Sequence, residues 1–266
     1  MKNVVVIPVY KVQPTNNELC SLRQCLRILG SHDIRLIAPE GLDLQVYRYT
    51  FETFQLPLLV EMFQPSYFAN IGGYNKLMLS KDFYTRFADW EYMLIYQLDA
   101  WVFRDDLDAW CKKGYDYIGA PWMKLNGKLD EKNCGNGGFS LRYIPAFIEL
   151  FNHTGRLWGY KGLACRYRYR GPIRGRISIC RGLFGWKNHL SDFVEKENEN
   201  EDLFFATLKY KKKGCFRIPL SREAMFFAFE EAPSMLYRLT NGNLPFGCHA
   251  WEKWEYKTFW KEYLNV

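Results

Sequence analysis

No stretch of this chain approaches the roughly 18 unbroken apolar residues of a membrane-spanning helix, so no segment reads as one. None of the eight cysteines, at positions 20, 25, 111, 134, 165, 180, 215 and 248, stands in a Cys-x-x-Cys pair. That removes zinc-ribbon and thioredoxin chemistry. Internal repeats and low-complexity tracts are also missing. Acidic residues are absent between Arg156 and Lys187, where nine basic residues fall: Arg156, Lys161, Arg166, Arg168, Arg170, Arg174, Arg176, Arg181 and Lys187. No recognised nucleic-acid motif accompanies them, and the basic excess is confined to this one segment, so no nucleic-acid partner is expected.

What is present is enough for one large α/β domain: 266 residues, 48% hydrophobic, with a high aromatic content of 18%. Aromatics concentrate in cores and at binding surfaces, where they stack on sugars and bases. The opening Val4-Val-Val-Ile7 is too short for a signal-peptide core and is followed at once by Pro8. It reads as a buried strand, and the expected compartment is the cytoplasm with reduced thiols. The net charge of +7 is concentrated in the basic segment, with Tyr, Trp, Leu and Phe interleaved. An acidic run follows, containing Asp192, Glu195, Glu197, Glu199, Glu201 and Asp202. Two readings stand: a solvated loop paired with that run, or a contact for an anionic partner such as a membrane surface.

Strand and helix patterns alternate along most of the chain. Strands are expected at Asn3 to Tyr10, Asp33 to Pro39, Leu56 to Phe63, Tyr92 to Tyr96, Asp116 to Ala120 and Gly138 to Arg142. Helices are expected at Glu18 to Leu29, Tyr74 to Phe87, Ile144 to Asn152, Glu201 to Leu208, Glu223 to Glu230 and Trp251 to Leu264. In the first helix Leu19, Leu22, Leu26 and Leu29 share one face, with Gly30 as the stop. Alternation of this kind predicts an α/β sandwich around a mainly parallel sheet. The pattern lapses after about residue 155, so the region from 156 to 190 is expected to be an insertion or mobile loop of a single domain spanning 1 to 266.

Four clusters carry candidate chemistry. Asp99 follows an apolar strand at its carboxyl end, the edge where open α/β sheets bind ligands. A carboxylate there needs a cation or a donor; alternatively it braces a loop or caps a helix. Asn133-Cys-Gly-Asn-Gly-Gly-Phe-Ser-Leu-Arg142 holds three glycines, for close backbone approach to a ligand or for a tight turn. Glu201-Asp202 opens an apolar helix, as a reactive pair or as helix-terminal stabilisation. Pro245-Phe-Gly-Cys-His-Ala-Trp251 holds His249, one of only four histidines, as a ligand or as a structural residue.

In this order the clusters resemble glycosyltransferases of the GT-A fold, and Val4-Val-Val-Ile-Pro-Val-Tyr10 resembles that fold's nucleotide-binding first strand. Tyr115-Asp-Tyr-Ile-Gly-Ala-Pro-Trp122, with Gly135-Asn-Gly-Gly-Phe-Ser-Leu-Arg142, is similar to an uncharacterised bacterial family, DUF5672, regarded as glycosyltransferase-like. The resemblance spans about residues 3 to 250. It implies a GT-A-like single domain with a Rossmann-like, mainly parallel mixed sheet flanked by helices. It also implies transfer of a sugar from a nucleotide sugar to a glycan or lipid-linked acceptor in surface polysaccharide or glycoconjugate synthesis. The segment from Arg156 to Lys187 is the expected contact with the inner membrane surface or with a lipid-linked diphosphate acceptor. Val9, Tyr10, Lys76, Gln97 and Asp99 are the implied donor-binding residues. Asp202 is the first choice of base and Glu201 the second. Gly137, Gly138, Trp122 and Trp251 are placed on the acceptor side.

The family's metal motif is Asp-x-Asp. Asp99 matches one member, but the other position holds Gln97 or Trp101. Asp99 and His249 are the implied ligands of Mn²⁺ or Mg²⁺, which favour oxygen donors. The alternative is a metal-free site in which Lys76 and the arginine-rich segment neutralise the leaving diphosphate. Two rivals are kept. One is a nucleotidyltransferase, disfavoured because Pro8-Val-Tyr-Lys-Val-Gln-Pro14 lacks glycine. The other is a non-catalytic carbohydrate- or nucleotide-binding homologue that has lost its metal site.

Overall fold

The computed structural model describes residues 2–167, 170–194, 200–264 and 266. In chain order the elements are β1 (Asn3–Pro8), α1 (Asn16–Leu29), β2 (Asp33–Pro39), α2 (Gln45–Thr53), β3 (Leu59–Phe63), α3 (Ile71–Met78), α4 (Lys81–Arg86), β4 (Tyr92–Tyr96) and β5 (Trp101–Val102). There follow α5 (Leu107–Lys112), β6 (Tyr117–Ile118), β7 (Pro121–Met123), β8 (Leu129–Cys134), β9 (Phe139–Tyr143) and α6 (Ile144–Phe151). The remainder are α7 (Tyr160–Arg166), α8 (Pro172–Leu183), α9 (Ser191–Val194), α10 (Glu201–Thr207), α11 (Ser221–Phe227), β10 (Ala228–Phe229), α12 (Pro233–Leu239) and β11 (Gly247–Cys248).

The main sheet runs β3-β2-β1-β4-β9-β6. The first three pairings are parallel, and β9 runs antiparallel to both β4 and β6. Because β1 and β4 are buried on both faces, they are apolar without a break from Val4 to Pro8 and from Tyr92 to Tyr96. Val5, Ile7, Leu94 and Tyr96 point into one core layer, and Val4, Val6, Met93 and Ile95 into the other. This is the period-2 division of a strand. From β1 the chain winds outward through β2 and β3, then returns to place β4 on the other side of β1. The strand order therefore reverses between β1 and β4, and the crevice beyond their carboxyl ends is where such a sheet takes ligands. A short sheet, β10-β11-β5, and the hairpin β7-β8 flank it.

Four expected elements differ. The helix expected at 74–87 is two helices, α3 and α4, divided at Ser80, whose hydroxyl accepts from the Phe83 amide and restarts the helix. The region from 156 to 190 contains α7 and α8, and Leu157, Trp158, Leu163, Tyr167 and Leu190 enter the second core layer. Of the residues singled out there and in the acidic run, Arg168, Glu195, Glu197 and Glu199 lie outside the described residues. The helix expected to reach Glu230 stops at Phe227, and Ala228–Phe229 pairs with β11. Trp251 to Leu264 forms turns and one 3₁₀ segment, Trp260–Glu262. Its chain passes through left-handed backbone at Glu255 (φ 51°), which a continuous helix forbids.

Candidate active site

A cavity of about 530 Å³ opens at the reversal between β1 and β4, within the usual range for small-molecule sites. Its floor is the chain leaving β1. Val9 is held there by its amide donating to the Ile37 carbonyl at 2.9 Å, and Tyr10 and Lys11 follow. Lys11 donates to Glu18 at 2.7 Å. On the other side the chain leaves β4 in a tight turn. The Gln97 amide donates to the Gly138 carbonyl (2.8 Å) and the Ala100 amide to the Gln97 carbonyl (2.9 Å), so Asp99 sits at the turn's tip and lines the cavity.

The Asn136-Gly-Gly138 turn forms the back wall. Asn136 Oδ1 accepts from the Gly138 and Phe139 amides at 2.6 and 2.8 Å. The Tyr117 hydroxyl accepts from the Asn136 amide and donates to its carbonyl. Two glycines here are demanded by space. A Cβ on Gly137 would lie 2.3 Å from Glu201 Oε1, and one on Gly138 would lie 1.9 Å from His249 Nε2. Only glycine lets both side chains close on this turn.

His249 joins two carboxylates. Its Nε2 lies 3.1 Å from Asp99 Oδ1 and its Nδ1 lies 3.1 Å from Glu230 Oε1. Asn136 Nδ2 donates to the other Glu230 oxygen. Burial acts against a charge on the imidazole, but the Asp99 charge and the hydrogen bonds to Asp99 and Glu230 outweigh it and push its pKa up to about 10. Burial likewise disfavours the Asp99 carboxylate, yet the His249 charge and hydrogen bond hold it below the ordinary value. The cation that the sequence demands for Asp99 is therefore supplied within the chain by His249.

Glu201 and Asp202 open α10 and also line the cavity. Glu201 is 4% exposed and Arg142, on β9, is 0% exposed. Arg142 donates to the Tyr84 hydroxyl at 2.9 Å, and its Nη2 approaches Glu201 Oε1 at 3.8 Å. Burial raises the pKa of Glu201 while Arg142 opposes the rise. Burial and the neighbouring Glu201 charge push Asp202 up to about 7, the range in which a carboxylate exchanges protons at neutral pH.

The cavity thus brings together Val9, Tyr10, Gln97, Asp99, Gly137, Gly138, Glu201, Asp202 and His249. It leaves out three expected residues. Lys76 sits on α3 one position beyond Asn75, which does line the cavity, and the helical turn carries Lys76 off that wall. Trp251 is fully buried in a third core cluster, edge-on to Trp101 with ring centroids 6.3 Å apart, so it presents no face to a sugar. Trp122 is half-buried outside the cavity, and its indole donates to the Gly135 carbonyl at 2.8 Å, bracing the glycine turn from behind. Among the described residues, none of the basic residues from Arg156 to Lys187 lines the cavity either. An Asp106-Leu-Asp108 sequence at the start of α5 is also elsewhere: Asp106 pairs with Arg104, and Asp108 accepts from Asn3.

Sequence reasoning missed Lys11, Glu18, Tyr74, Asn136 and Glu230, all on the cavity wall. Lys11 was readable from its place just after β1. Glu230 had no local signal, since only the pairing of β10 with β11 brings it to His249.

Among the described residues, five carboxylates, Glu18, Asp99, Glu201, Asp202 and Glu230, face this cavity against Lys11 and His249. That excess fits a bound cation better than an unaccompanied anion. A carboxylate on the far nitrogen of His249 is the usual support of a metal-ligating imidazole. Among the described residues, however, no three His, Cys, Asp or Glu side chains are grouped to hold a metal by themselves.

The family model of a protein of unknown function (DUF5672) matches residues 57–249. The chain belongs to the DUF5672 family. A search of curated proteins finds no match for it. Among solved structures, the DUF5672 chain is similar to mouse xyloside xylosyltransferase 1 in its apo form, with a TM-score of 0.50 and 10% identity over 94% of this chain and 97% of that one. Galactosyltransferase LgtC, in complex with donor and acceptor sugar analogues, gives a TM-score of 0.46 and 13% identity over 92% and 86%. TarS of S. aureus gives 0.36 and 15% over 58% of this chain, which spans only 30% of TarS. With the mixed, mainly parallel sheet and its flanking helices, the DUF5672 fold is GT-A-like. No helix among the described residues is long and apolar enough to cross a membrane.

Proposed function

We propose that this protein is a glycosyltransferase that moves a sugar from a nucleotide sugar to a hydroxyl of a glycan or lipid-linked acceptor. The observation that carries the reading is the cavity at the β1/β4 reversal. Its lining holds both the Asp99–His249–Glu230 triad and the Glu201–Asp202 pair. Val9 and Tyr10 hold the nucleotide end of the donor, and Asp99 and Gln97 face its diphosphate. Asp202 takes the proton from the acceptor hydroxyl as oxygen bonds to the anomeric carbon and the diphosphate departs. Burial, and after it the neighbouring Glu201 charge, holds the Asp202 pKa near neutrality. Asp99 and His249 would hold Mn²⁺ or Mg²⁺, with the remaining positions filled by donor oxygens and water. Such an ion neutralises the charge developing on the leaving diphosphate. Lys11 is the cation that the chain itself brings to the same cavity. Synthesis of a surface polysaccharide or glycoconjugate at the cytoplasmic face of a membrane belongs to this reading.

The test is thermal denaturation with UDP-, GDP-, dTDP- and CMP-linked sugars, each with and without Mn²⁺. A donor that binds the native state raises the melting temperature by mass action, and one class is expected to do so. No shift with any donor overturns the reading in favour of a non-catalytic homologue.

A further inference from the structure

None of the described basic residues of the segment lines the cavity, and its longest helix carries an apolar stripe on its outer face. Along α8 the buried residues are Gly175, Ser178 and Gly182. Gly182 lies so near Leu163 that a Cβ there would be 2.8 Å from its Cδ2. Ile179 packs partly on the second core layer, but the other large apolar residues point outward: Ile173 is 74% exposed, Ile177 47%, and Phe184, which caps the helix, 90%. Cys180 is exposed beside them. Positions 173, 177, 180 and 184 recur at i, i+4, i+7 and i+11, a single helical stripe that a helix of a globular protein normally turns toward the core. Exposed Arg174 and Arg181 border the stripe on one side and exposed Arg176 on the other. Just beyond, exposed Trp186 lies under two cations, with the Arg181 guanidinium 5.1 Å and the Lys187 ammonium 4.4 Å from its ring.

We propose that the outer face of α8, with Phe184 and Trp186, docks on an anionic lipid surface. An outward apolar stripe rimmed by arginine and followed by an interfacial tryptophan is what a helix lying in the membrane interface requires. The absence of any acidic residue from 156 to 187 selects a negatively charged surface. A second copy of this chain is disfavoured as the occupant. A two-fold contact through this stripe would bring the arginine borders of both copies together. The proposal deepens the membrane-face part of the reading above. It rests on the geometry of α8 and not on the chemistry of the cavity, so the two can fail separately.

The experiment is co-sedimentation of the full chain with phosphatidylcholine vesicles, with and without phosphatidylglycerol, at low and high salt. Binding is expected only to the anionic vesicles and is expected to weaken as salt rises. Arg174→Glu, Arg176→Glu and Arg181→Glu together should lower affinity by about 100-fold or more, since each cation contributes on the order of a fivefold factor. Ile173→Ser, Ile177→Ser and Phe184→Ser together should lower it by about tenfold or more at fixed salt. All six positions are exposed, and an unchanged melting temperature checks that the variants fold. Asp202→Asn should bind vesicles as the parent does, whether or not it transfers sugar. No binding to anionic vesicles overturns the proposal, as does equal binding to neutral ones. It also fails if both triple variants bind like the parent. Concentration-dependent self-association that the serine variants abolish, without vesicle binding, assigns the face to a second copy. Binding to acidic polypeptide in place of anionic vesicles assigns it to a protein.

Discussion

Gly138 and Asp202 make separable demands at the residue scale. Because a Cβ on Gly138 would fall 1.9 Å from His249 Nε2 and 2.6 Å from Gln97 Oε1, Gly138→Ala must displace a side chain that lines the cavity. We expect a stability loss of about 1–3 kcal/mol in denaturant unfolding, together with loss of donor-induced stabilisation. Retention of both would show that His249 moves aside freely. Asp202→Asn should lower transfer by about 100-fold or more, the scale of general-base catalysis, with donor binding retained; full activity removes Asp202 as the base. The raised Asp202 pKa, about 7, gives the sign of two pH effects. A base works ionised, so kcat/KM should fall tenfold per unit below about pH 7 and level off above it. The folded state holds the Asp202 proton more tightly than the unfolded chain does. Its stabilising contribution is therefore complete below the ordinary carboxylate range and is lost as pH rises through 7. Asp202→Asn should accordingly melt above the parent at pH 8, with the gap closing toward pH 4. The opposite trend would contradict a raised pKa.

Local signals in individual elements account for most of the fold that the sequence made readable. The apolar runs of β1 and β4 and the leucine face of α1 are strong because burial on both sheet faces, or on one helix face, leaves no polar alternative. The segment 251–264 misleads because its aromatic spacing suits a helix, while Glu255 takes a left-handed conformation and Trp251 and Trp260 are drawn inward to a tertiary core. The segment 156–190 misleads in the other direction: α8 fully buries only glycine and serine, with Ile179 partly packed, so most of its hydrophobic stripe points outward. One element joins local capping to the site. In α1, Thr15 Oγ1 accepts from the Glu18 amide at 3.2 Å and Glu18 Oε2 accepts from the Thr15 amide at 2.7 Å, a reciprocal capping box. The other Glu18 oxygen takes Lys11 at 2.7 Å on the cavity floor. Thr15→Ala should cost about 1 kcal/mol in denaturant unfolding. Glu18→Gln, which keeps much of the cap but weakens the hold on Lys11, should alter donor affinity more than stability. Equal effects on both would mean that the cap and the cavity are not linked.

Across the whole molecule, the site is assembled from β1, the β4 turn, the β8–β9 turn, the start of α10 and the strand ends of β10 and β11. Asp99, Gly138, Glu201, Asp202 and His249 were legible because each marks an abrupt polar or glycine break beside an apolar run. Glu230 and Asn136 were not, since their roles arise from pairing between distant segments. Charge is also distributed against the average. The chain is +7 overall, yet among the described residues its cavity is lined by five carboxylates, Lys11 and His249. A nucleotide diphosphate entering that cavity meets an acidic field that long-range basic charge does not cancel, because exposed charges beyond about 10 Å are largely screened. A divalent ion on Asp99 and His249 would reverse the field locally, but His249 carries a proton up to about pH 10, and an imidazolium does not ligate metal. Ion binding must release that proton and is therefore favoured as pH rises. Titration calorimetry with Mn²⁺ in the presence of a bound donor should show affinity increasing from pH 7 to pH 9, with proton release detected as a dependence of the heat on buffer ionisation. His249→Gln should remove both the release and most of the pH dependence. Donor binding that is strong without metal, insensitive to His249→Gln and abolished by Lys11→Ala would instead assign neutralisation of the diphosphate to Lys11, leaving the Asp99–His249 pair as the brace that holds the glycine turn against the sheet.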